Sequence, residues 1–404
     1  MQRELIPQPV SYSAPWDAET VESRAAELLH GKSARVAYLY GRLDTSTFRY
    51  RVYNMVEALR AAPDSGVTAS WFALCEADVL MRLLPQIDVL VIARLQYDYQ
   101  VANLIARART LRVRVLADFD DLVFDVRYAH LLSANNDCDT TVEEHWQRVF
   151  AAFGRMQASL SLCDGGITTN GFLAEKMAGV VDGPVRIVPN FLNRRQQELS
   201  GRLLEAKQAR NFAGDGRVTI GYFSGSATHN LDFETALTAL VELMREDRSV
   251  DLRIVGHMRA FDSLTEFANR VEWIDLQDWV NLQIKIAEVE INIAPLQQND
   301  FTNCKSELKF FEAAAVGVWT CASRTFAFDA AIADPAHGRL TENSDWSAAL
   351  REAVALARDK AAYSERARTT ARYALDRYGW DRNTSAIVGA LQTSNRLSDN
   401  AFAG

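Results

Sequence analysis

Several common signatures are missing from this sequence, and each absence excludes a class of protein. Its 404 residues include five cysteines, which form no CxxC pair and no cluster with histidine, so neither a zinc site nor a disulfide framework is indicated. No apolar run approaches the roughly 20 residues that cross a bilayer, and the first residues lack the apolar segment of a secretion signal. We therefore expect a cytoplasmic protein with reduced thiols.

An excess of positive charge is missing as well. The chain has 44 Lys and Arg residues against 52 Asp and Glu residues, which gives a net charge of −8. A dedicated nucleic-acid binder is usually strongly basic, so we expect no nucleic-acid partner. At 48% hydrophobic and 24% charged residues the composition is globular, and the length predicts two to three domains.

The best-known motifs of nucleotide and hydrolytic enzymes are also missing. Neither opening strand is followed by GxGxxG, and the chain has no GxxxxGK[ST], so the usual phosphate loops of dinucleotide-binding domains and P-loop enzymes are absent. The six histidines show no HExxH spacing, and there is no GxSxG elbow.

Short apolar runs alternate with amphipathic segments of helix length, and this alternation is typical of parallel sheets covered on both faces. One series predicts strands in ARVAYLY, VTASWF, VLVIA, RVRVLADF, GGITT and VRIVPN, and a second predicts them in VTIGYF, DLRIVG, RVEWI, VEINIAP and VWTCAS. We therefore predict an α/β protein with two doubly wound, Rossmann-like domains whose strands end at a shared cleft. The predicted ranges are an extension over 1–32, domains over 33–190 and 218–380, a linker over 191–217, and a final helix and tail over 381–404.

In the second predicted domain, a loop of small residues joins strand VTIGYF to a helix that we expect to begin at Asp232. Such a loop presents free backbone N–H groups and the positive end of the helix dipole, which suits a phosphate. An ordinary turn capped by Asp232 explains the same residues, and the sequence leaves both interpretations open. The candidate anion-binding residues are Gly225, Ser226, His229 and Asn230.

A second candidate is a nearly apolar helix predicted over Ser306–Ala315, with Ser306 as its N-cap. Lys305, Lys309 and Glu312 would fall at i, i+4 and i+7 and share one face. Because buried charges are costly unless they are paired, we favour a face directed at a ligand. The alternative is ordinary ion pairing on a half-exposed helix.

In the first predicted domain, a polar segment follows the first strand and carries Gly41, Arg49 and Arg51. It predicts contacts to an acceptor or a phosphate, with a solvated loop as the alternative.

The strand RVRVLADF ends in an acidic cluster of Asp118, Asp120, Asp121 and Asp125. Crowded carboxylates raise one another's pKa, which suits a general base or a clamp on an acceptor hydroxyl. A magnesium site and a simple helix-capping turn are the competing interpretations.

A basic segment runs from the end of one predicted helix into a buried strand. Arg107, Arg109, Arg112 and Arg114 lie within fifteen residues that contain no acid. This pattern indicates either a solvated rim paired with neighbouring carboxylates or a patch that attracts anionic lipid.

Taken in order, these segments resemble the GT-B glycosyltransferases of family 4 (glycosyl transferases group 1), of the kind that build bacterial surface polysaccharides. The resemblance runs from about Arg35 to Trp380 and is strongest in VTIGYFSGSATHNLDFE, LRIVGH, EINIAPL, KSELKFFEAAAVGVWTCAS and VRIVPNFLN. By this resemblance Glu312 matches the second glutamate of the family's Glu-x7-Glu helix, which binds the ribose of the nucleotide sugar.

The chain departs from the family pattern at three places that bear on the chemistry, and at a fourth, Trp319 in place of the usual proline, that does not. Cys304 stands where the first glutamate is expected, and Ser226, His229 and Asn230 stand where the phosphate loop usually carries Arg and Lys. Lys305 and Lys309 are therefore the natural cationic partners of a diphosphate. Asp120 and Asp121 occupy the place of the usual His-Asp pair.

The resemblance implies a retaining glycosyltransferase, of hexosyl or deoxyhexosyl type, that moves a sugar from a nucleotide-diphosphate donor to a glycan or lipid-linked hydroxyl. It implies no cofactor and no metal, with donor contacts in the second domain, acceptor contacts in the first, and closure about the linker. Asp120, Asp121 and Lys309 are the expected catalytic residues, Ser306 joins the donor-binding set, and Asp118 joins the acceptor side. A nucleotide-sugar epimerase and a non-catalytic scaffold of the same fold are the alternatives, and an anionic membrane surface is a further expected partner.

Overall fold

The apolar runs form two parallel six-stranded sheets in the computed structural model of the chain. The structure describes residues 10–30, 34–135, 141–212, 216–225 and 229–392. Most strands are buried on both faces, because helices cover each sheet on both sides. The predicted α/β, doubly wound architecture is confirmed.

The first sheet has the strand order β2-β1-β3-β4-β5-β6, with every neighbouring pair parallel. Its strands are β1 Ala34–Tyr40, β2 Val67–Ala73, β3 Val89–Ala93, β4 Arg114–Phe119, β5 Gly166–Thr168 and β6 Val185–Ile187.

The second sheet has the order β12-β11-β10-β7-β8-β9 and is also parallel throughout. Its core face packs against helices that carry Phe233 and Trp346, both fully buried. Its strands are β7 Val218–Ser224, β8 Val250–Gly256, β9 Val271–Ile274, β10 Ile291–Ala294, β11 Trp319–Ser323 and β12 Arg339–Thr341.

Helices connect successive strands, and several begin at a capping side chain placed just before the first turn, such as Asp98, Asn170, Asn193 and Asp278. The helices are α1 Val21–His30, α2 Ser46–Phe48, α3 Asn54–Arg60, α4 Ala77–Leu83, α5 Tyr99–Thr110, α6 Ala129–Asn135, α7 Glu143–Ser161, α8 Gly171–Ala178, α9 Arg194–Ala209, α10 Asn230–Glu246, α11 Trp279–Ala287, α12 Asp300–Asn303, α13 Leu308–Ala314, α14 Phe326–Ala331, α15 Trp346–Arg358, α16 Lys360–Tyr378 and α17 Thr384–Leu391. A π-helical turn, Arg49–Tyr53, lies between α2 and α3.

The chain forms two compact units, each discontinuous in sequence. The first-sheet unit comprises residues 14–126, 152–190 and the described part of 380–404. The second-sheet unit comprises the described part of 1–13 with 127–151 and 191–379. The sequence-based ranges treat each domain as continuous, and the range 191–217, predicted as a linker, contains the sixteen-residue helix α9.

The structure adds elements that the sequence pattern did not predict. Strand β12 has only three residues, so it shows no apolar run, and α1 lies in the predicted extension. A 3₁₀-helix lies between β8 and β9, over Asp262–Phe267. The helix expected to begin at Asp232 begins two residues earlier, at Asn230.

Candidate functional site

The topology of the second sheet marks one point at its carboxyl edge. The chain runs from β7 to β8 and β9 on one side, and then returns to place β10 on the other side of β7. In open parallel sheets, ligands bind at this reversal, beyond the carboxyl ends of the two strands. Here those ends are Ser224 of β7 and Ala294 of β10.

Gly256, the last residue of β8, allows this strand to pack closely against the end of β7. Gly256 has φ +98°, and a Cβ placed there would lie 1.9 Å from the carbonyl oxygen of Ser224. The next residue, His257, donates its backbone N–H to the same oxygen at 3.2 Å. A side chain at position 256 would therefore displace the point where the loop after β7 begins.

The first turn of α10 joins that loop to the segment after β10. Asp232 is fully buried, and its Oδ2 lies 2.9 Å from Nδ1 of His229. Its Oδ1 accepts the backbone N–H of Gln297 at 3.1 Å. Burial alone would raise the pKa of Asp232, but the hydrogen bond from His229 and the charge of Lys305 hold it below the usual value.

Because an ionised carboxylate only accepts hydrogen bonds, Asp232 places the imidazole proton of His229 on Nδ1. Burial and the nearby charges of Lys309 and Lys305 lower the pKa of His229 to about 4, against the opposing effect of Asp232. The imidazole is therefore neutral at neutral pH and presents Nε2 as an acceptor.

Lys309, in the first turn of α13, reaches the end of β7. Its Nζ donates to the carbonyl oxygen of Phe223 at 2.8 Å and lies 4.4 Å from the ring centre of Tyr222. Burial, together with the charge of Lys305, lowers the pKa of Lys309 to about 8, although Asp232 and Glu312 oppose the shift. Lys305 is partly exposed, with Nζ 4.8 Å from the ring centre of Phe301.

Glu312 lies one turn further along α13 and is buried. Its Oε1 accepts a hydrogen bond from Nε2 of Gln196, on α9, at 3.0 Å. The same Gln196 nitrogen lies 3.1 Å from Oε1 of Gln283, on α11, and Nε2 of Gln283 donates to the Glu312 carbonyl at 2.8 Å. Three helices thus hold the carboxylate in a fixed place.

In the first sheet the strand order reverses between β1 and β3. A buried ion pair lies near the carboxyl end of the next strand, β4. Arg51 is fully buried, with Nε 2.7 Å from Oδ1 of Asp118 and Nη2 3.0 Å from Oδ2. Its Nη1 donates to the carbonyl of Val188 and to Oδ1 of Asn190, at 2.7 and 3.1 Å. This arginine therefore fastens β4 to the segment after β6.

A second, partly exposed cluster lies at the carboxyl ends of β3 and β4. Nη1 of Arg94 is 3.0 Å from Oδ1 of Asp120 and 3.2 Å from Oγ1 of Thr47, and the Thr47 hydroxyl donates to Asp120 Oδ2 at 3.1 Å. Nη2 of Arg94 lies 4.0 Å from Oδ2 of Asp121. Arg94 adopts φ +47°, a left-handed conformation that is uncommon for arginine.

No protein-family model matches the chain, and no curated protein matches it.

Solved structures do match. The chain is similar to Anabaena HepE in complex with UDP at 11% identity, covering 88% of this chain and 99% of that one, with a TM-score of 0.56. It is similar to sucrose-phosphate synthase from Thermosynechococcus elongatus at 15% identity, with coverages of 88% and 96% and a TM-score of 0.54. It is also similar to WaaG, a glycosyltransferase involved in lipopolysaccharide biosynthesis, at 13% identity, with coverages of 89% and 100% and a TM-score of 0.55.

The chain has the GT-B fold. At identities this low the likeness establishes the fold alone.

Of the predicted donor-binding residues, the GT-B fold brings His229, Lys305, Lys309 and Glu312 to one region of the second-sheet unit. Asn230 is buried there, and its Oδ1 accepts the backbone N–H of Arg259 at 3.1 Å. Gly225 is exposed after β7, and Ser306 is partly exposed in the turn before α13. Ser226 lies outside the described residues.

The predicted helical stripe through Lys305, Lys309 and Glu312 is wrong in one respect. Helix α13 begins at Leu308, with Glu307 and not Ser306 in the capping position, so Lys305 precedes the helix. The reason lies upstream, where Asn299 caps the separate short helix α12 and the chain turns before starting again. Lys305 is nevertheless close enough to Lys309 and His229 to affect both of their pKa values.

Of the predicted acceptor-side residues, Gly41 is exposed after β1, whereas Arg49, Arg51 and Asp118 are buried. The guanidinium of Arg49 lies 4.4 Å from the ring centre of Tyr50. The pKa of Asp118 is raised to about 6, mainly by burial and against the effect of Arg51, with Asp120 as a minor cause. Burial and not crowding of carboxylates is thus the main source of that shift.

Sequence reasoning did not identify Gln196, Gln283, Arg94 or the link between Asp232 and His229. For Gln283 a signal existed, because a glutamine stands in the otherwise largely apolar helix α11. For Arg94 the signal was its place directly after the apolar run of β3.

Among the described residues, no group of three or more His, Cys, Asp and Glu side chains is arranged to hold a metal ion. In the same part of the chain, no helix is long and apolar enough to cross a membrane.

A cavity of about 900 Å³ lies at the opposite, amino-terminal edge of the second sheet, separate from the candidate site. It is lined by ion-paired arginines such as Arg217 and Arg245.

Proposed function

We propose that this protein is a glycosyltransferase that moves a sugar from a nucleotide-diphosphate donor to a hydroxyl of a glycan or glycolipid. The observation that carries the proposal is the set of Lys305, Lys309, His229 and a buried Glu312 at the strand reversal of the second sheet. A diphosphate leaving group needs charge-assisted donors, and a ribose diol suits a fixed carboxylate acceptor.

In this proposal the lysines bind the diphosphate and Lys309 stabilises the charge that grows on it as the glycosidic bond breaks. Glu312 accepts hydrogen bonds from the ribose hydroxyls, and the residues around Gly225, Ser226, Asn230 and Ser306 line the donor. Two crystal structures of the similar protein HepE contain UDP-glucose, or UDP with glucose, which supports a nucleotide-sugar donor here.

The acceptor would bind to the first-sheet unit, near Gly41 and the cluster of Arg94, Asp120 and Asp121. Asp120 and Asp121 are partly exposed, so we propose that they face the acceptor hydroxyl. Arg49, Arg51 and Asp118 are buried and would shape this region from within. We further propose retention of anomeric configuration, a hexosyl or deoxyhexosyl donor, and a role in bacterial polysaccharide or glycoconjugate assembly.

We propose that the reaction needs neither cofactor nor metal, because lysines and backbone N–H groups stabilise the departing diphosphate. Activity should then survive chelation by EDTA. Loss of activity with EDTA, followed by recovery with Mg²⁺ or Mn²⁺, would make the cluster around Asp120 the first candidate for metal ligands.

The proposal is tested by measuring binding of a panel of UDP-, GDP-, ADP- and dTDP-sugars, and then analysing the products with and without oligosaccharide or lipid-linked acceptors. Sugar transfer that requires an acceptor is the expected result. Conversion of the donor without an acceptor would identify an epimerase, and failure of every nucleotide sugar to bind would favour a non-catalytic scaffold.

A further inference from the structure

The pair formed by His229 and Asp232 has features that a phosphate-binding loop does not require. An anion is bound best by groups that are already charged, yet burial and two neighbouring lysines keep His229 neutral. Its Nδ1 is held by a carboxylate that is itself fully buried, at 2.9 Å. Within the described residues, Nε2 has no hydrogen-bond partner.

We propose that Asp232 is a positioning residue that fixes His229 with its proton on Nδ1, and that His229 takes up a second proton on Nε2 from solvent when a nucleotide diphosphate enters the donor site. The inference deepens the proposed function and rests on it. The loop after β7 would then gain its missing positive charge only when the donor is bound.

The groups that face the imidazole favour this behaviour. Asp232 lies in the first turn of α10, which His229 precedes, Lys309 lies on α13, and Lys305 lies in the turn before α13. Tyr222 of β7 donates its hydroxyl to the His229 carbonyl at 3.4 Å. Burial keeps the pKa of Tyr222 well above its usual value, so the phenol stays neutral. The two lysines are therefore the charges that oppose protonation of His229, and Asp232 is the charge that favours it.

A bound diphosphate reverses this balance. Its two negative charges offset the two lysines, while the Asp232 carboxylate remains beside Nδ1. The pKa of His229 must rise from about 4 past 7, which is about a thousandfold gain in proton affinity. Once charged, Nε2–H becomes a donor to a phosphate oxygen, which is the role that Arg or Lys would otherwise fill.

The test is calorimetric titration with the best-binding nucleotide sugar of the panel, in buffers of different ionisation enthalpy. The diphosphate diester of such a ligand does not itself titrate between about pH 5 and 8, so proton uptake reports on the protein. At about pH 6 Lys309, whose pKa is about 8, is already protonated and His229 is not. We expect an uptake approaching one proton per ligand, and an affinity that falls by up to about tenfold per pH unit between pH 5 and 7.

Two variants distinguish positioning of His229 by Asp232 from a non-specific loss of structure. His229→Gln should bind without proton uptake and with a flat pH profile over that range. Asp232→Asn keeps the shape of the side chain but removes the charge that stabilises the imidazolium. Proton uptake on binding and the pH dependence of the affinity should therefore both decrease in this variant. A merely structural role of Asp232 would leave the pH dependence unchanged. His130→Gln, which changes an exposed histidine on α6, is the matched control and should behave as the unmodified protein.

Binding of the nucleotide sugar without proton uptake and without a pH slope would overturn the inference while leaving the proposed function intact. Failure of every nucleotide sugar to bind would instead remove the proposed function, and this inference with it. If Asp232→Asn does not fold, uptake by the unmodified protein and its loss in His229→Gln still decide the question.

Discussion

At the scale of single residues, the Glu312 carboxylate is the best-defined polar group of the proposed donor site. Glu312→Gln preserves the side-chain volume and an oxygen that can still accept from Gln196, but it removes the charge offered to the ribose. We expect nucleotide-sugar binding to weaken by about 1.5–3 kcal/mol, which is roughly ten- to hundredfold, as measured by calorimetry.

The matched control for this change is Glu307→Gln. Like Glu312, Glu307 is buried, and it directly precedes the same helix. Burial raises the pKa of Glu307, and this residue has no role in the proposed site. Donor affinity should be unchanged in this variant. Equal affinities for the Glu312→Gln variant and the unmodified protein, with both folded, would exclude a ribose role.

The lowered pKa of Lys309 predicts how donor binding depends on alkaline pH. Only the ammonium form stabilises the diphosphate, and the free site loses that proton as pH rises through about 8. Affinity and kcat/KM should therefore fall by up to about tenfold per pH unit above that value. Lys309→Arg stays charged throughout this range, so its profile should be flat there even if its overall affinity is lower.

The same alkaline decline in the arginine variant would assign the titration to another group.

The residues of the site differ in how far sequence can predict them. Lys309 and Glu312 could be identified because they are charged positions three apart in an otherwise apolar helix, and that is local information. Gln196 lies 116 residues from Glu312, and Arg94 lies 26 residues from Asp120, so these contacts depend on the finished fold. The protonation state of His229 likewise depends on burial and on lysines from another helix.

At the scale of elements, the end of β8 controls the position of the loop after β7. Gly256→Ala places a methyl group against the Ser224 carbonyl and forces alanine into a left-handed conformation. We expect a loss of at least about 1–3 kcal/mol in the free energy of unfolding, measured by urea denaturation, and weaker donor binding.

Gly201→Ala is the control for this substitution. Gly201 lies inside α9, and a Cβ there meets nothing within 4 Å. It should raise the free energy of unfolding by up to about 1 kcal/mol, because alanine favours the helix. A Gly256→Ala variant as stable as the unmodified protein would contradict the tight packing of Gly256 against the Ser224 carbonyl.

Elements were predicted best where their apolar pattern was long. Strands β1, β3 and β7 coincide with clear apolar runs of five to seven residues. The start of α13 was missed because Asn299 nucleates a separate helix just before it, and β12 is too short to show any periodicity.

At the scale of the whole molecule, three arginines of the basic segment, Arg107, Arg109 and Arg112, form no ion pair with a carboxylate in the described part of the chain, whereas Arg114 feels the charge of Asp164. Arg107, Arg109 and Arg112 are exposed, and Arg109 donates to the carbonyl of Leu162. Arg114 is half-buried and donates to the carbonyl of Leu391 at 3.0 Å, so it has a structural role. We therefore expect the three exposed arginines to hold the protein on anionic membranes in a reversible, salt-sensitive way.

The measurement is flotation with liposomes at low salt. Recovery on anionic vesicles should exceed recovery on neutral ones, and replacing the three exposed arginines by glutamine should abolish the difference, since each contributes about 1 kcal/mol. A triple variant on helix α16, Arg366, Arg368 and Arg372 to glutamine, removes the same charge and should still float. Equal recovery on both kinds of vesicle would mean that this surface serves another purpose.

The path of the chain between its two units also limits how such a protein can be rebuilt. After residue 379 the chain returns to the first-sheet unit, where α17 packs against α3 and β6. A chimera with a single junction near residue 190 would therefore pair the first half of one parent with the final helix of the other. Exchange of acceptor specificity by one recombination event is disfavoured for that reason, and a functional hybrid needs a second junction near residue 380 that keeps α17 with its own sheet.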